Sequence, residues 1–565
     1  MRYLPFKGLR HVALACALLC GTAPAFAGDV SLQGLGSASA HQRFIVSYKD
    51  SSAGNRGRLS GSLREIARAV PARRGRALGL SSSRWLGVGP QLLVADRALD
   101  RVDAETLMRR LAADPAVKRV EVDMLLRPML VPNDSRLSEQ WALGTTSAGI
   151  NVRPAWDKAT GKGAVVAVID TGVTAHPELS ANVLAGYDFI SDAFIARDGN
   201  ARDTDAADPG DWAAANECGS GASASSSSWH GTHVAGIVAA AANNGAGTAG
   251  VAFNAKVLPV RVLGRCGGYL SDIADAIVWA SGGTVSGVPA NPTPARVINL
   301  SLGGIGSCST TLSNAIASAV SRGTSVVVAA GNSNIDVSKS VPANCPNVIA
   351  VAATTSAGAK ASFSNFGQGV DIAAPGQAIL STLNSGSTAV GTPGYAVYSG
   401  TSMAAPHVAG VVALMQSVAL NPLSAASVEA MLKSTARALP VACPQGCGAG
   451  LVNADGAVAA VIASTTLTSN AARNGLAAAT GGSLYYQVNV PAGTRSLRVA
   501  LSGGSGNADL SLRAGALPSD TAYSCRTAVV GNADSCTLSA PAPGVYYVRL
   551  KATLAFSAVT LVATY

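Results

Sequence analysis

Three short segments hold residues that together could make and break an acyl bond. In Gly400-Thr401-Ser402-Met403-Ala404-Ala405-Pro406-His407, a serine opens a helical pattern between small residues that would let a substrate backbone approach. Val168-Ile169-Asp170-Thr171-Gly172 sets an acid at the end of an apolar run, and His230-Gly231-Thr232-His233 sets a histidine at the start of a second helical pattern. A serine hydroxyl is a poor nucleophile until a base takes its proton, and an imidazole of near-neutral pKa suits that task. An acid behind the imidazole would fix its tautomer and stabilise the imidazolium. Ser402 is therefore the candidate nucleophile, His230 the general base and Asp170 the orienting acid. Taken singly, each has a plainer use: serine as a helix N-cap, aspartate as a turn former, histidine as a packed helix residue. Their joint occurrence favours chemistry.

The order along the chain is Asp, His, Ser, whereas chymotrypsin-type enzymes run His, Asp, Ser and α/β-hydrolases run Ser, Asp, His. From about Gln140 to about Ala463 the chain resembles the subtilisin family of serine peptidases, in all three segments at once. That resemblance implies further roles. Asn332, in Ala329-Ala330-Gly331-Asn332, matches the family's oxyanion-hole asparagine, which would act with the backbone N–H of Ser402. Ser301-Leu302-Gly303-Gly304 matches the strand that pairs with substrate backbone. The segment of Gly264, Gly267, Gly268 and Tyr269 matches the opposite wall, so a peptide would lie between them as an added strand. Of His230 and His233, the first is catalytic in the family pattern. A metal reading of the pair is poor, because the HExxH spacing and its glutamate are absent. His407 is expected to pack within its helix and His176 to lie in a surface loop. The activity implied is that of a secreted endopeptidase on proteins and peptides, made as a precursor and working as a monomer.

The elements that must position these residues can be read from periodicity. Apolar runs at 164–169, 256–263, 296–300, 325–330 and 348–353 read as strands. Helical patterns at 230–242, 271–280, 312–322, 402–416 and 426–437 follow or intervene. Near-continuous apolar strands alternating with helices predict an α/β domain: a mostly parallel sheet with helices on both faces. Active sites in such sheets gather at the carboxyl ends of the strands, where Asp170 and Asn332 fall. Before it, residues 28–131 read as a small α+β domain, which the family resemblance makes a pro-domain: folding assistant and intramolecular inhibitor. After it, short alternating segments at 484–490, 496–501, 508–512 and 545–550 predict a β-sandwich over 476–565 that resembles the bacterial pre-peptidase C-terminal domain. The peptidase domain is then 132–463 and residues 464–475 a linker.

Arg2, Lys7 and Arg10, the apolar stretch 11–21 and Ala25-Phe26-Ala27 read as a secretory signal over 1–27, too short to span a membrane. The formal net charge of +10 does not point to nucleic acid: residues 1–27 hold three basic and no acidic side chains, residues 28–127 hold 17 and 10, and the remainder holds 22 of each. Of ten cysteines, Cys16 and Cys20 leave with the signal. The even remainder in an exported chain favours disulfides. Cys443 and Cys447 flank a short turn, and Cys525 and Cys536 a hairpin. The other four allow three pairings; Cys218 with Cys266 and Cys308 with Cys345 is favoured, because each pair would pin loops bordering the cleft. Calcium is the expected structural cofactor. The carboxylate-dense stretch with Asp198, Arg202, Asp203, Asp208 and Asp211 is one candidate loop. A second comes from the family resemblance: Asn244 in Asn243-Asn244-Gly245, with Glu178 supplying a carboxylate.

Overall fold

The computed structural model describes residues 28–36, 40–49, 59, 61–73, 75–125 and 130–565. The expected signal at 1–27 lies outside them. The chain divides into two compact units, Met1–Pro128 and Met129–Tyr565. The first carries a five-stranded sheet in the spatial order Asp29–Ser31, Val117–Val122, His41–Tyr48, Gln91–Leu99, Leu80–Trp85. Its helix Arg101–Ala112 starts at Asp100, whose side chain accepts from Asp103 N. Leu107, Met108 and Leu111 of that helix pack on Phe44 and Val46 of the sheet, giving the α+β core.

The second unit is built on a seven-stranded sheet. Its spatial order is Ile372–Pro375, Val348–Thr354, Ser325–Ala329, Val297–Leu300, Val165–Asp170, Lys256–Arg261, Tyr187–Asp188, and every neighbouring pair is parallel. The strands are apolar on both faces because both faces are covered. Val166 and Val168 join one core, Ala167 and Ile169 the other. The first core takes the histidine helix, His230–Ala239, and the serine helix, Thr401–Val418. The second takes the helices Leu270–Ala280 and Thr310–Ser321. Strand order reverses beside Val165–Asp170, so the crevice of the fold opens at the end of that strand, next to Asp170.

The C-terminal region forms two antiparallel sheets that share the long last strand, Gly544–Thr564. Their side chains fill one core, including Val488, Leu510, Val548 and Leu561. The linker expected at 464–475 is corrected: a helix runs through Ala454–Thr465 and a strand begins at Ala472. Between them Leu467 is buried and its N–H donates to Gln487 O. The Asn421 side chain also clasps the backbone of Tyr485, donating to its O and accepting from its N at 2.8 Å each. These bonds fasten the C-terminal sheets to the region before them. The disulfides join Cys218 to Cys266, Cys308 to Cys345, Cys443 to Cys447 and Cys525 to Cys536. Among the described residues no helix is long and apolar enough to cross a membrane.

Candidate active site

Asp170 ends its strand fully buried, and both carboxylate oxygens face His230 Nδ1, at 2.8 and 2.9 Å. A carboxylate only accepts, so Nδ1 carries the hydrogen and Nε2 is left as the basic nitrogen. Burial disfavours a charged imidazole, but the Asp170 carboxylate, with Asp211 and Asp208 further out, outweighs it and holds the His230 pKa above its ordinary 6.5. His230 is placed by Trp229, which adopts a left-handed φ of 50° immediately before it. The Trp229 indole is buried and donates to Gly386 O at 2.6 Å, anchoring that backbone.

Ser402 sits in the first turn of the serine helix. Pro406 lies four residues on and has no N–H, so the helix leaves the Ser402 carbonyl free. Ser301 Oγ takes that carbonyl at 2.8 Å, while Ser402 Oγ donates to Ser301 O at 3.1 Å. This reciprocal clasp ties the end of the Val297–Leu300 strand to the serine. Asn332 follows the Ser325–Ala329 strand. Its Oδ1 accepts from Thr401 N and Thr401 Oγ1, both at 2.8 Å. That fixes which end of the amide is oxygen and leaves Nδ2 as the outward donor. A Cβ added at Gly400 would meet Nδ2 at 3.4 Å and Ser402 N at 3.6 Å, so both donors flank the space that glycine leaves open.

The walls differ in what they offer. Gly304 and Ile305 pair antiparallel with Val341 and Ser340, which braces the segment starting at Ser301-Leu302-Gly303. In the other wall Gly264 and Gly267 exchange both backbone bonds with each other, at 2.9 and 3.1 Å. Gly264 and Gly267 thus close a tight hairpin, and of that wall's three glycines Gly268 is the one outside this mutual pair. Cys266 at the hairpin tip and Cys345 beyond the other wall are each held by a disulfide.

Of the other histidines, His233 and His407 are buried, and burial pushes their pKa values down to about 3 and about 4. His233 stacks on Tyr398 with ring centroids 4.6 Å apart. The expectation of a surface loop at His176 is corrected. It is 4 % exposed and its Nε2 lies 2.9 Å from Gly394 O.

The acidic stretch does not converge on a cation. Asp198 accepts from Arg261, Asp203 from Asn200 and Asp205 N, Asp208 from Thr171 and Gly210 N, and Asp211 from Ser228. Arg202 is corrected as a ligand: its guanidinium is itself the cation, paired with Asp272 at 2.6 Å and Asp275 at 2.8 Å. Among the described residues no group of three or more His, Cys, Asp or Glu is placed to hold a metal. The second loop fits calcium better, through a residue that its sequence context did not single out. Asp134 Oδ2 accepts from Asn243 N at 2.8 Å, while its Oδ1 is buried without a partner. Glu178 is 1 % exposed and has only long bonds, 3.3 Å each, from Asn244 and Tyr395. Burial, with Asp134 adding to it, raises the Glu178 pKa. Two buried, under-bonded carboxylates with neutral oxygens nearby suit a hard cation. The signal for Asp134 was Pro132-Asn133-Asp134, a polar turn too common to stand out.

The subtilase family model matches residues 161–467, and that of the bacterial pre-peptidase C-terminal domain matches residues 482–552. The chain is 65 % identical over 553 residues to an "Extracellular protease" of Xanthomonas campestris pv. campestris, covering 96 % of this chain and 95 % of that one. It is 40 % identical over 430 residues to an "Extracellular basic protease" of Dichelobacter nodosus, covering 74 % and 70 %. Among solved structures, a protease of Pseudoalteromonas arctica PAMC 21717 aligns at TM-score 0.58 and 54 % identity, over 59 % of this chain and 100 % of that one. With the sheet, the two helices and these matches in agreement, the chain belongs to the subtilase family of serine proteases and carries a bacterial pre-peptidase C-terminal domain.

Proposed function

We propose that the protein is a secreted endopeptidase that cleaves proteins through an acyl-enzyme on Ser402. The observation that carries this reading is the wholly buried Asp170 with both oxygens on His230 Nδ1, which leaves Nε2 as the base. In the proposed reaction Ser402 Oγ leaves the Ser301 carbonyl and attacks the scissile carbon, and its proton passes to Nε2. The oxyanion accepts from Ser402 N–H and Asn332 Nδ2. The imidazolium, stabilised by Asp170, protonates the leaving amine, and water repeats the sequence to free the acid. Subtilisin, a member of this same family, is a type case of this triad, so the roles are carried over by residue correspondence.

The substrate would extend along Ser301-Leu302-Gly303-Gly304, with Gly268 opposite. The N-terminal unit would serve as folding assistant and inhibitor of a monomeric enzyme, exported by way of residues 1–27. Relatives named extracellular proteases support export. Subtilases commonly bind structural calcium. Here Asp134, Glu178 and Asn244 would hold it, and the ion would neutralise the two buried carboxylates and fasten the Asn243–Gly245 loop. The test is casein hydrolysis by wild type and Ser402→Ala, with and without a serine-directed inhibitor. Activity in Ser402→Ala equal to wild type would refute the reading.

A further inference from the structure

Thr171 is a junction that the proposed reaction leaves unused. Its N–H donates to Asp170 Oδ1 at 2.8 Å. Its hydroxyl oxygen accepts from Gly231 N at 3.0 Å, next to His230, and lies 2.7 Å from Asp208 Oδ2. An amide only donates and a carboxylate accepts, so the hydroxyl proton is directed to Asp208. The other Asp208 oxygen accepts from Gly210 N at 2.9 Å, and the residue is 2 % exposed. The backbones here are in contact: a Cβ on Gly231 would come within 2.1 Å of Gly172 O. One hydroxyl thus spans the strand end that carries the acid and the first turn of the helix that carries the base. Asp208, from the loop that looked like a cation site, fixes which way that hydroxyl points.

We propose that Asp208 is a positioning residue of the catalytic centre, setting the Asp170–His230 geometry through the Thr171 hydroxyl. It touches neither substrate nor reacting atoms. The proposal rests on the assignment of Asp170 and His230 above. Burial pushes the Asp208 carboxyl up to about 7, so kinetics at pH 9 keep it ionised.

The test is steady-state hydrolysis of a chromogenic peptide by wild type, Thr171→Val, Thr171→Ser, Asp208→Asn and the Thr171→Val/Asp208→Asn double variant, with Asp170→Ala alongside. A misplacement of about 1 Å costs up to about 100-fold. Thr171→Val and Asp208→Asn should each lower kcat about tenfold or more, with KM within about twofold because neither residue meets substrate. Thr171→Ser keeps the hydroxyl and should stay within about threefold of wild type. Residues acting as one unit are not additive, so the double variant should fall no more than about threefold below Thr171→Val. Wild-type kcat in Thr171→Val, or a double loss equal to the product of the single losses, would overturn the proposal. If Thr171→Val does not fold, Asp208→Asn decides: lower kcat at unchanged KM and Tm supports the proposal, and wild-type kcat overturns it. Wild-type turnover by Asp170→Ala would remove the assignment underneath.

Discussion

Asn332 offers two substitutions that separate its structural work from its chemical work. Its Oδ1 accepts two bonds from Thr401, which is fully buried, while its Nδ2 faces the gap at Gly400. Asn332→Ala removes both ends. Leaving the Thr401 N–H without its acceptor should cost roughly 1–3 kcal/mol of stability. Loss of the outward donor should cost about 100- to 1,000-fold in kcat, a range taken from subtilisin and so from this same family. Asn332→Asp keeps an acceptor for Thr401 but puts a negative oxygen where the oxyanion forms. It should therefore melt close to wild type and yet turn over more slowly than Asn332→Ala. The rates come from chromogenic peptide hydrolysis. The melting is followed by calorimetry in a Ser402→Ala background, which avoids self-digestion. An Asn332→Ala enzyme within about threefold of wild-type kcat would refute the oxyanion role. An Asn332→Asp enzyme faster than Asn332→Ala would refute the electrostatic sign.

Gly400→Ala should fold, since the Gly400 backbone is extended at φ 167°, yet lose activity because its methyl occupies the gap between the two donors; a kcat equal to wild type counts against that geometry. The acid limb of kcat/KM should titrate above 6.5, because Asp170 raises the His230 pKa and only the neutral imidazole can take the serine proton. In NMR titrations of Ser402→Ala, His233 and His407 should stay neutral at pH 5, and an inflection of either above pH 6 would contradict their burial. A chelator should lower the Tm of Ser402→Ala but not of Ser402→Ala/Glu178→Gln, since saturation at 100 times Kd is worth about 2.7 kcal/mol. Equal chelator shifts in both would place the ion elsewhere.

The sheet and the two site helices were legible because each strand is an apolar run covered on both sides and each helix begins at or one residue before a functional residue with a glycine one or two positions away. The places of Asp170, His230 and Ser402 at a strand end and two helix starts were legible from local sequence, whereas the roles proposed for them and for Asn332 rest on the family resemblance. What could not be read lies in partner choice. A cluster of aspartates looks the same whether it faces a cation or, like Asp198 and Asp208, an arginine and a threonine brought in by the fold. Gly264 and Gly267 look like an open edge in sequence, but the hairpin turns them on each other. His176 sits in a polar stretch whose burial depends on Tyr395, more than two hundred residues away. The 464–475 stretch has linker composition, but Gln487 takes its backbone.

Everything proposed for the site depends on Ser402 being the nucleophile, with His230 as its base. Reaction of the mature enzyme with a fluorophosphonate, followed by intact mass and peptide mapping, probes both residues at once. One adduct is expected, on Ser402, formed in step with loss of hydrolysis and absent from His230→Ala. An adduct mapped to another residue, or hydrolysis that persists after Ser402 is fully modified, would contradict the assignment.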